Sequence, residues 1–429
     1  MAPTIEAALT GLGSPEELGS LAAEGYAPPT RPRVNSHIHL PPNFSAFETM
    51  RQAVELAHEQ DVRVLGVSNY YDYSVYADFV AEARSRGIFP LFGIEIISLI
   101  DDLVRAGVKI NDPGNPGKMY ICGKGITRFE RMTPEAQELL DTIRRNDSQR
   151  MAQMVARLEE VFAARGLSTG LDEDAVKDMI VRRHGSRRET VYLQERHAAQ
   201  AFQETLFDQV PAPQRIEVLN GVLGAASKAA PDDAVQVQNE IRSHLMKSGK
   251  PAFVEETFVG FEQAYRLILE LGGIPCYPVL ADGTSPLCAL EDPVEQLIEN
   301  IRARGIHCAE FIPIRNDPAV LSRYVTAMRG AGLVITAGTE HNTLELLPIE
   351  PACLGGQPIP EEIKEIFWEG ACVVAAHQFL TLHGHCGFVD SAGNPNPAYG
   401  SAEERIAAFY KLGAAVIRRY QEQPIESPD

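Results

Sequence analysis

The sequence has little positive charge, and it lacks long apolar runs and paired cysteine motifs. Its 39 Lys and Arg residues are outnumbered by 58 Asp and Glu residues, which gives a net charge of −19. Binding to nucleic acid or to an anionic membrane without sequence preference needs basic patches, so we expect neither partner. No apolar run approaches the roughly 18 residues that a membrane span requires. The 7 cysteines are scattered without a C-x-x-C motif, which favours reduced thiols in a cytoplasmic protein.

The chain does contain a repeated alternation of strand-like and helix-like segments. With 429 residues, 45% of them hydrophobic, it can bury a large core. Residues 34–40, 62–67 and 89–96 are typical of strands, and the amphipathic segments 47–60 and 77–86 between them are typical of helices. Strands and helices that alternate at this spacing indicate a parallel sheet. We therefore predict an α/β protein whose sheet forms a distorted parallel barrel of the (β/α)7 type.

This alternation is interrupted in the middle of the chain by a long stretch that is rich in helical patterns. We expect this stretch to form a helical insertion that packs over the mouth of the barrel, with a polar and partly mobile segment at 225–250. The predicted parts are an N-terminal helical cap (1–33), the first part of the barrel (34–125), the insertion (126–250), the second part of the barrel (251–400) and a C-terminal helix (401–429).

Two histidines, His37 and His39, occupy alternate positions at the end of the first predicted strand. Residues i and i+2 of a strand point to the same face, so both imidazoles can reach one metal ion. Active residues of such barrels gather at the carboxyl ends of the strands, where Tyr70 and Glu95 also fall. The His-x-His motif alone is a weak signal, because ordinary histidine pairs are common.

Several further stretches follow this motif in a defined order. They are NSHIHL, GVSNYYDY, LFGIEI, MYICGKG, RHAA, LGGIPCYPVLA and GLVITAGTEHNT. In this order they resemble the motifs of the PHP family, the polymerase and histidinol phosphatase family of metal-dependent phosphoesterases. The resemblance covers roughly residues 34–345 and implies a distorted barrel with metal ligands at the strand ends.

The resemblance also implies a set of metal ligands, in which a glutamate replaces the aspartate of the family's last motif. The ligands implied are His37, His39, Glu95 and Glu340. Other family histidines are replaced by tyrosine in this sequence, at Tyr70, Tyr120 and Tyr277. Because neutral tyrosine is a poor metal ligand but a good hydrogen-bond donor, we expect one divalent ion, Zn, Mn or Fe, surrounded by phenols.

Roles in the chemistry follow from these positions. The candidate catalytic residues are His341, Tyr70, Tyr120 and Tyr277. The candidates for binding an anionic group are Lys124, Arg128 and Arg196. Each has a plainer interpretation, since His341 could be a core histidine, the tyrosines could serve packing, and exposed arginines are common. A second histidine cluster, at His377, His383 and His385, is more typical of a helix end than of a metal site.

Three functions remain open at this point. The first is a metal-dependent hydrolase, phosphoesterase-like, that acts on a small polar and possibly anionic substrate. The second is a metal enzyme outside phosphoester chemistry, such as a lyase, an isomerase or an amide hydrolase. The third is a non-catalytic scaffold with a PHP-like fold. The sequence leaves the oligomeric state open.

Overall fold

The computed structural model describes residues 5–424 and contains a nearly closed, barrel-shaped sheet. Seven strands follow one another in the order β1-β2-β3-β4-β6-β7-β8, and the short β5 pairs with β3. A parallel bridge between Ile38 and Glu340 brings the two ends of the sheet together. The strands are β1 (Arg33–Ile38), β2 (Val62–Asn69), β3 (Phe89–Leu99), β4 (Lys118–Lys124), β5 (Val259–Gly260), β6 (Ile274–Val279), β7 (Cys308–Phe311) and β8 (Val334–Ala337). The predicted α/β barrel is confirmed.

The strand β4 is antiparallel to both of its neighbours, whereas the other neighbours along the path are parallel. Tyr120 lies opposite Ile97, near the carboxyl end of β3, and Lys124 lies opposite Gly93, two residues before Glu95. The beginning of β4 therefore lies at the barrel mouth with the carboxyl ends of the parallel strands. Because β4 runs backwards, Lys124 lies deeper in the barrel than Tyr120.

Helices surround the barrel and form the inserted segment. They are α1 (Ile5–Thr10), α2 (Pro15–Ala23), α3 (Met50–Glu59), α4 (Val75–Arg84), α5 (Asp101–Ala106), α6 (Pro134–Ala163), α7 (Glu173–His184), α8 (Glu195–Gln209), α9 (Ala212–Leu223), α10 (Ala234–Ile241), α11 (Phe261–Glu270), α12 (Val294–Arg302), α13 (Pro318–Gly330), α14 (Glu361–Leu382) and α15 (Ala402–Gln421). The short α1 and α2 lie against the outer helices α4, α14 and α15. Within residues 5–424, no helix combines the length and the apolar character that a bilayer crossing needs.

The long helix α6 begins where local sequence signals place it. Thr133 is its N-cap, with Oγ1 accepting a hydrogen bond from the Ala136 amide at 3.1 Å, and Pro134 occupies the first turn. The polar segment 225–250 is more structured than its composition suggests, because it contains α10 and a π-helical turn at Arg242–Met246. The apolar side chain of Val237 is buried there, which anchors α10 despite its polar neighbours.

The buried apolar side chains form a main core around the barrel and a separate core within the insertion. The second core includes Phe162 and Phe202, whose ring centroids are 4.9 Å apart. Helix α6 contributes to both cores, with Leu140 in the main core and Leu158 in the second. This shared helix fixes the insertion on the barrel.

The contact between α14 and α15 predicts a sharp difference between two glycine substitutions. A Cβ atom at Gly413 would lie 1.8 Å from the Cys372 carbonyl oxygen, so Gly413→Ala should force the helices apart and cost roughly 1–3 kcal/mol or more. Gly221 in α9 has open space around it, so Gly221→Ala should stabilise the fold by about 0.5–1 kcal/mol. Melting temperatures of both variants test this, and an unchanged value for Gly413→Ala would contradict the packing described.

Candidate metal centre

Two imidazoles and one carboxylate converge at the mouth of the barrel. His37 and His39 come from the end of β1, where alternate residues share a face, and Glu95 comes from β3. The Nε2 atoms of both histidines lie 3.3 Å from Glu95 Oε2. The three side chains are almost completely buried. Although burial acts to raise the pKa of the Glu95 carboxyl, the two imidazoles outweigh it and hold that pKa well below its usual range.

The converging atoms of this group lack hydrogen-bond partners. His37 Nε2, His39 Nε2 and Glu95 Oε2 are each buried without one. Buried polar atoms are normally hydrogen-bonded, and leaving one unpaired costs roughly 1–3 kcal/mol. All three atoms lie within 4.8 Å of one another, and two imidazoles with a carboxylate are a typical donor set for a divalent transition metal or zinc. The residues present therefore fit a metal ion.

The opposite edge of the His37 ring is held by Glu310 of β7. His37 Nδ1 lies 2.6 Å from Glu310 Oε2, and the second carboxylate oxygen contacts Lys124 Nζ at 2.6 Å and accepts from Thr336 Oγ1 at 3.2 Å. A carboxylate on one ring nitrogen places the proton there and leaves the lone pair of the other nitrogen directed at a metal. Glu310 therefore sets both the tautomer and the orientation of His37.

A second group of possible ligands, formed by His37, Cys122 and Glu310, is closed to a metal. The Lys124 ammonium already contacts Glu310, and His37 Nδ1 is used by the same carboxylate. Burial raises the pKa of the Cys122 thiol to about 12, and a protonated thiol is a poor ligand. Of the two groups found within residues 5–424, one is therefore open to a cation.

Glu340 lies on the wall of the same cavity but outside the group of three. Its carboxylate forms a two-pronged ion pair with Arg315, with Nη1 at 3.0 Å from Oε1, and it accepts a hydrogen bond from Asn342 Nδ2 at 2.5 Å. The backbone of Glu340 is tied to β1, since its carbonyl accepts from the His39 amide at 2.9 Å. A role as fourth ligand would require Glu340 to release Arg315, and that role stays a prediction.

The structure separates the three tyrosines that replace family histidines. Tyr70 and Tyr120 line the cavity, and the Tyr70 hydroxyl donates to Glu95 Oε1 at 2.8 Å. Burial raises the pKa of Tyr70 well above its usual value and that of Tyr120 to about 12, so both phenols keep their protons at neutral pH. Tyr277 is fully buried, donates to Glu291 at 3.0 Å and does not line the cavity.

The three predicted anion-binding residues also lie in different places. Arg196, at the start of α8, lines the cavity. Lys124 lies inside the barrel, where its ammonium contacts Glu310. It is 2% exposed and does not line the cavity. Arg128 is exposed and lines a separate depression, whose wall also includes His377.

The predicted general base, His341, has both ring nitrogens occupied. Nδ1 lies 2.7 Å from Thr339 Oγ1, Nε2 lies 2.8 Å from the Leu347 carbonyl oxygen, and the ring stacks on Phe47. It is buried and does not line the cavity, and burial lowers its pKa. This arrangement favours the plainer interpretation of a structural histidine.

Two members of the second histidine cluster, His377 and His383, also make structural contacts. His377 Nε2 lies 2.7 Å from the Gly272 carbonyl oxygen, and its Nδ1 accepts from the Phe388 amide at 2.9 Å. His383 Nδ1 contacts the Phe379 carbonyl oxygen at 2.8 Å. Neither residue belongs to a possible ligand group among the residues described.

The fold is similar to those of two solved structures. One, from Bifidobacterium adolescentis and provisionally assigned as a metal-dependent phosphoesterase, aligns with a TM-score of 0.51 at 16% identity, covering 79% of this chain and 96% of that one. An amidohydrolase from Chromobacterium violaceum, with bound sulfate and no metal, gives a TM-score of 0.49 at 19% identity, with coverages of 78% and 96%. No family model and no curated protein matches the sequence. At this identity the first likeness supports the barrel fold alone.

Two residues of the site, Glu310 and Arg315, were not identified from the sequence. The sequence does contain a signal for Glu310, because this residue is a lone carboxylate in the apolar run around β7, near the carboxyl end of the strand. Such a residue is costly to bury unless it is paired. Arg315 follows in a short 3-10 turn and gives no comparable signal, since its partner Glu340 is distant in sequence.

The three unpartnered atoms predict the metal content of the protein. Protein purified without chelator should contain about one equivalent of a divalent metal, measured by elemental analysis. His39→Gln should reduce it below about a tenth of an equivalent, because one of the ligands is lost. His58→Gln, at an exposed helical position, is the matched control and should retain the metal. Full metal content in the His39 variant would contradict this site.

The Glu310 contact predicts a weaker effect on the same property. Glu310→Gln should lower the metal affinity roughly 10–100-fold without abolishing binding, because the carboxylate that orients His37 is replaced by a neutral amide. A competition titration with a chromophoric chelator measures the change. Unaltered affinity would show that Glu310 does not position His37.

Proposed function

We propose that this chain is a divergent metal-dependent hydrolase of the PHP type, which cleaves a phosphoester bond in a small anionic molecule. The observation that carries this proposal is the set of three buried, unpartnered ligand atoms on His37, His39 and Glu95, beside a cavity that reaches Glu95. Burying these three atoms without hydrogen bonds lowers the stability of the fold, and such a cost is expected where the atoms serve a function.

The cavity supports a small substrate. Its volume is about 380 Å³, in the lower part of the range typical of small-molecule sites. The barrel contributes Tyr70 and Glu95 to its wall, and the insertion contributes Asp147 and Arg196. The wall of the cavity is thus formed by the barrel and the insertion together.

One basic residue of the cavity wall has no acidic partner, and this favours an anionic substrate. The paired basic residues of the wall are Lys118, Arg150, Arg242 and Arg315. Arg196 forms no ion pair within residues 5–424. Burial and the nearby Arg242 lower its pKa to about 10, so the guanidinium is still charged at neutral pH. A free, partly desolvated guanidinium suits the two-pronged recognition of a phosphate.

Each residue of the centre has a separate task in the proposed reaction. A divalent cation held by His37, His39 and Glu95 would supply Lewis-acid activation of oxygen. Tyr70 donates to Glu95 Oε1 and fixes that carboxylate. The Tyr120 hydroxyl makes no hydrogen bond to the described part of the chain, so its proton is available to a substrate oxygen. Arg196 would hold the anionic group against the centre.

A metal enzyme outside phosphoester chemistry is the second candidate. It is favoured by the closed second ligand group, in which the Lys124 ammonium contacts Glu310 at 2.6 Å. With one open cation position among residues 5–424, the centre would not provide the pair of ions that clamps a phosphate in two-metal sites. A lyase, an isomerase or an amide hydrolase can work with a single Lewis acid.

Turnover of a broad panel of phosphate monoesters and diesters, with Mn, Zn or Mg added, separates these candidates. We expect cleavage that requires the metal and disappears in His37→Ala and His39→Ala, measured as inorganic phosphate from the monoesters and as released alcohol from the diesters. Absence of cleavage of every ester with all three metals would reject the phosphoesterase and leave the second candidate.

The unpaired guanidinium makes a further prediction about the same assay. Arg196→Gln should lower kcat/KM for phosphate esters roughly 100-fold, because a charge-assisted, two-pronged contact is lost. Arg196→Lys should recover only part of this activity, since an ammonium cannot make both bonds. Arg128→Gln, beside the other depression, is the matched control and should leave kcat/KM unchanged. Equal activities of the Arg196 and Arg128 variants would contradict the assignment.

A further inference from the structure

The cavity extends away from the metal centre to a buried group of charged side chains between the barrel and the insertion. Lys118, 3% exposed, contacts Glu256 at 3.1 Å and Asp112 at 3.4 Å. Glu195 contacts Arg150 at 2.8 Å and is the main acidic partner of the nearby basic residues of the insertion. The reaction described above does not use this group.

One carboxylate oxygen in this group, Asp147 Oδ1, is unsatisfied. Asp147 lies on α6, lines the cavity and is 6% exposed. Its Oδ2 accepts a hydrogen bond from the Tyr71 hydroxyl at 2.7 Å, whereas Oδ1 is buried without a hydrogen bond. The nearest guanidinium nitrogen, on Arg150, is 3.7 Å away, and that residue donates to Glu195 instead. Buried acceptors are normally bonded, so this atom indicates a missing donor.

Two adjacent tyrosines connect this acceptor to the metal centre. Tyr70 donates to Glu95, the neighbouring Tyr71 donates to Asp147, and their ring centroids are 5.7 Å apart. Tyr120 lines the same cavity, and the charges of Glu95 and Lys118 both act on its hydroxyl. Both carboxylates line the same cavity, so a molecule that spans this cavity would contact the two ends at once.

The charge around Asp147 selects among possible donors. Arg150 is close to Oδ1, so an ammonium group placed there would be repelled by the guanidinium. A hydroxyl group satisfies the acceptor without adding charge. Apolar surface from Ile97, Met151 and Phe258 lines the cavity and suits the carbon skeleton of such a molecule.

We propose that Asp147 Oδ1 accepts a hydrogen bond from a substrate hydroxyl remote from the scissile bond, so that the substrate is a hydroxylated phosphoester of the polyol or sugar phosphate class. This rests on the proposed function, because the anionic end of the same molecule is held at the metal centre by Arg196.

Matched alkyl phosphates test the proposal in the metal-loaded, full-length protein. Each set has the same chain of three to six carbons and ends in methyl, hydroxyl or amine. At the chain length that fits best, the hydroxylated member should have a kcat/KM roughly 10–100-fold above the methyl member, the effect of one hydrogen bond to a charged group. Asp147→Asn should lower this ratio several-fold, because a neutral amide is a weaker partner for a hydroxyl than a carboxylate is. Tyr71→Phe should reduce it partly, because Oδ2 loses the donor that orients the carboxylate.

Asp208→Asn, on the exposed face of α8, is the control and should retain the full ratio. Metal content and melting temperature of each variant show that the fold and the centre are intact. Equal rates for the hydroxyl and methyl members, a ratio that is undiminished in Asp147→Asn, or a preference for the amine would each overturn the proposal.

A failure of the proposed function can be told apart from a failure of the Asp147 subsite. If no phosphate is released from any member, the phosphoesterase is rejected, and calorimetric binding of the same compounds to the zinc-loaded protein then decides the subsite. Tighter binding of the hydroxylated members that depends on Asp147 would support it, and equal or absent binding of all members would overturn it.

Discussion

The contact between Glu310 and its two basic neighbours is the interaction on which the centre depends. A carboxylate that is fully buried is costly unless each oxygen is paired, and here one oxygen faces the His37 imidazole and the other the Lys124 ammonium. The ammonium balances the charge inside the barrel, and the carboxylate fixes the ring that points at the cavity. Loss of Glu310 would leave the buried Lys124 ammonium without its counter-ion and would release His37.

The antiparallel strand β4 supplies residues both at the mouth of the barrel and in its interior. Because β4 is antiparallel, Lys118 and Tyr120 at its beginning lie at the mouth, and Lys124 at its end lies inside the barrel. One strand therefore supplies a cavity wall, a hydroxyl donor and the internal counter-ion of Glu310. A parallel strand in this position would place its first residues at the far end of the barrel.

Local patterns predicted the parts of the structure that depend on local spacing. The period of two at His37 and His39 placed both rings on one face, and the pair Thr133 and Pro134 marks the start of α6. Tyr70, Tyr120 and Tyr277 carry the same substitution, yet Tyr277 turns to Glu291 and leaves the cavity. Partners such as Arg315 for Glu340, or Asp147 for Tyr71, are distant in sequence and depend on how the elements pack, which no local pattern encodes.

Helix α6 has a mechanical consequence for access to the cavity. Its 30 residues span roughly 45 Å as a continuous rod, with one half packed in the barrel core and the other in the core of the insertion. A hinged opening of the insertion would have to bend this rod or tear one core apart. Molecules should therefore enter and leave through rearrangement of individual side chains at the rim, while the separation between Glu95 and Asp147 across the cavity stays constant.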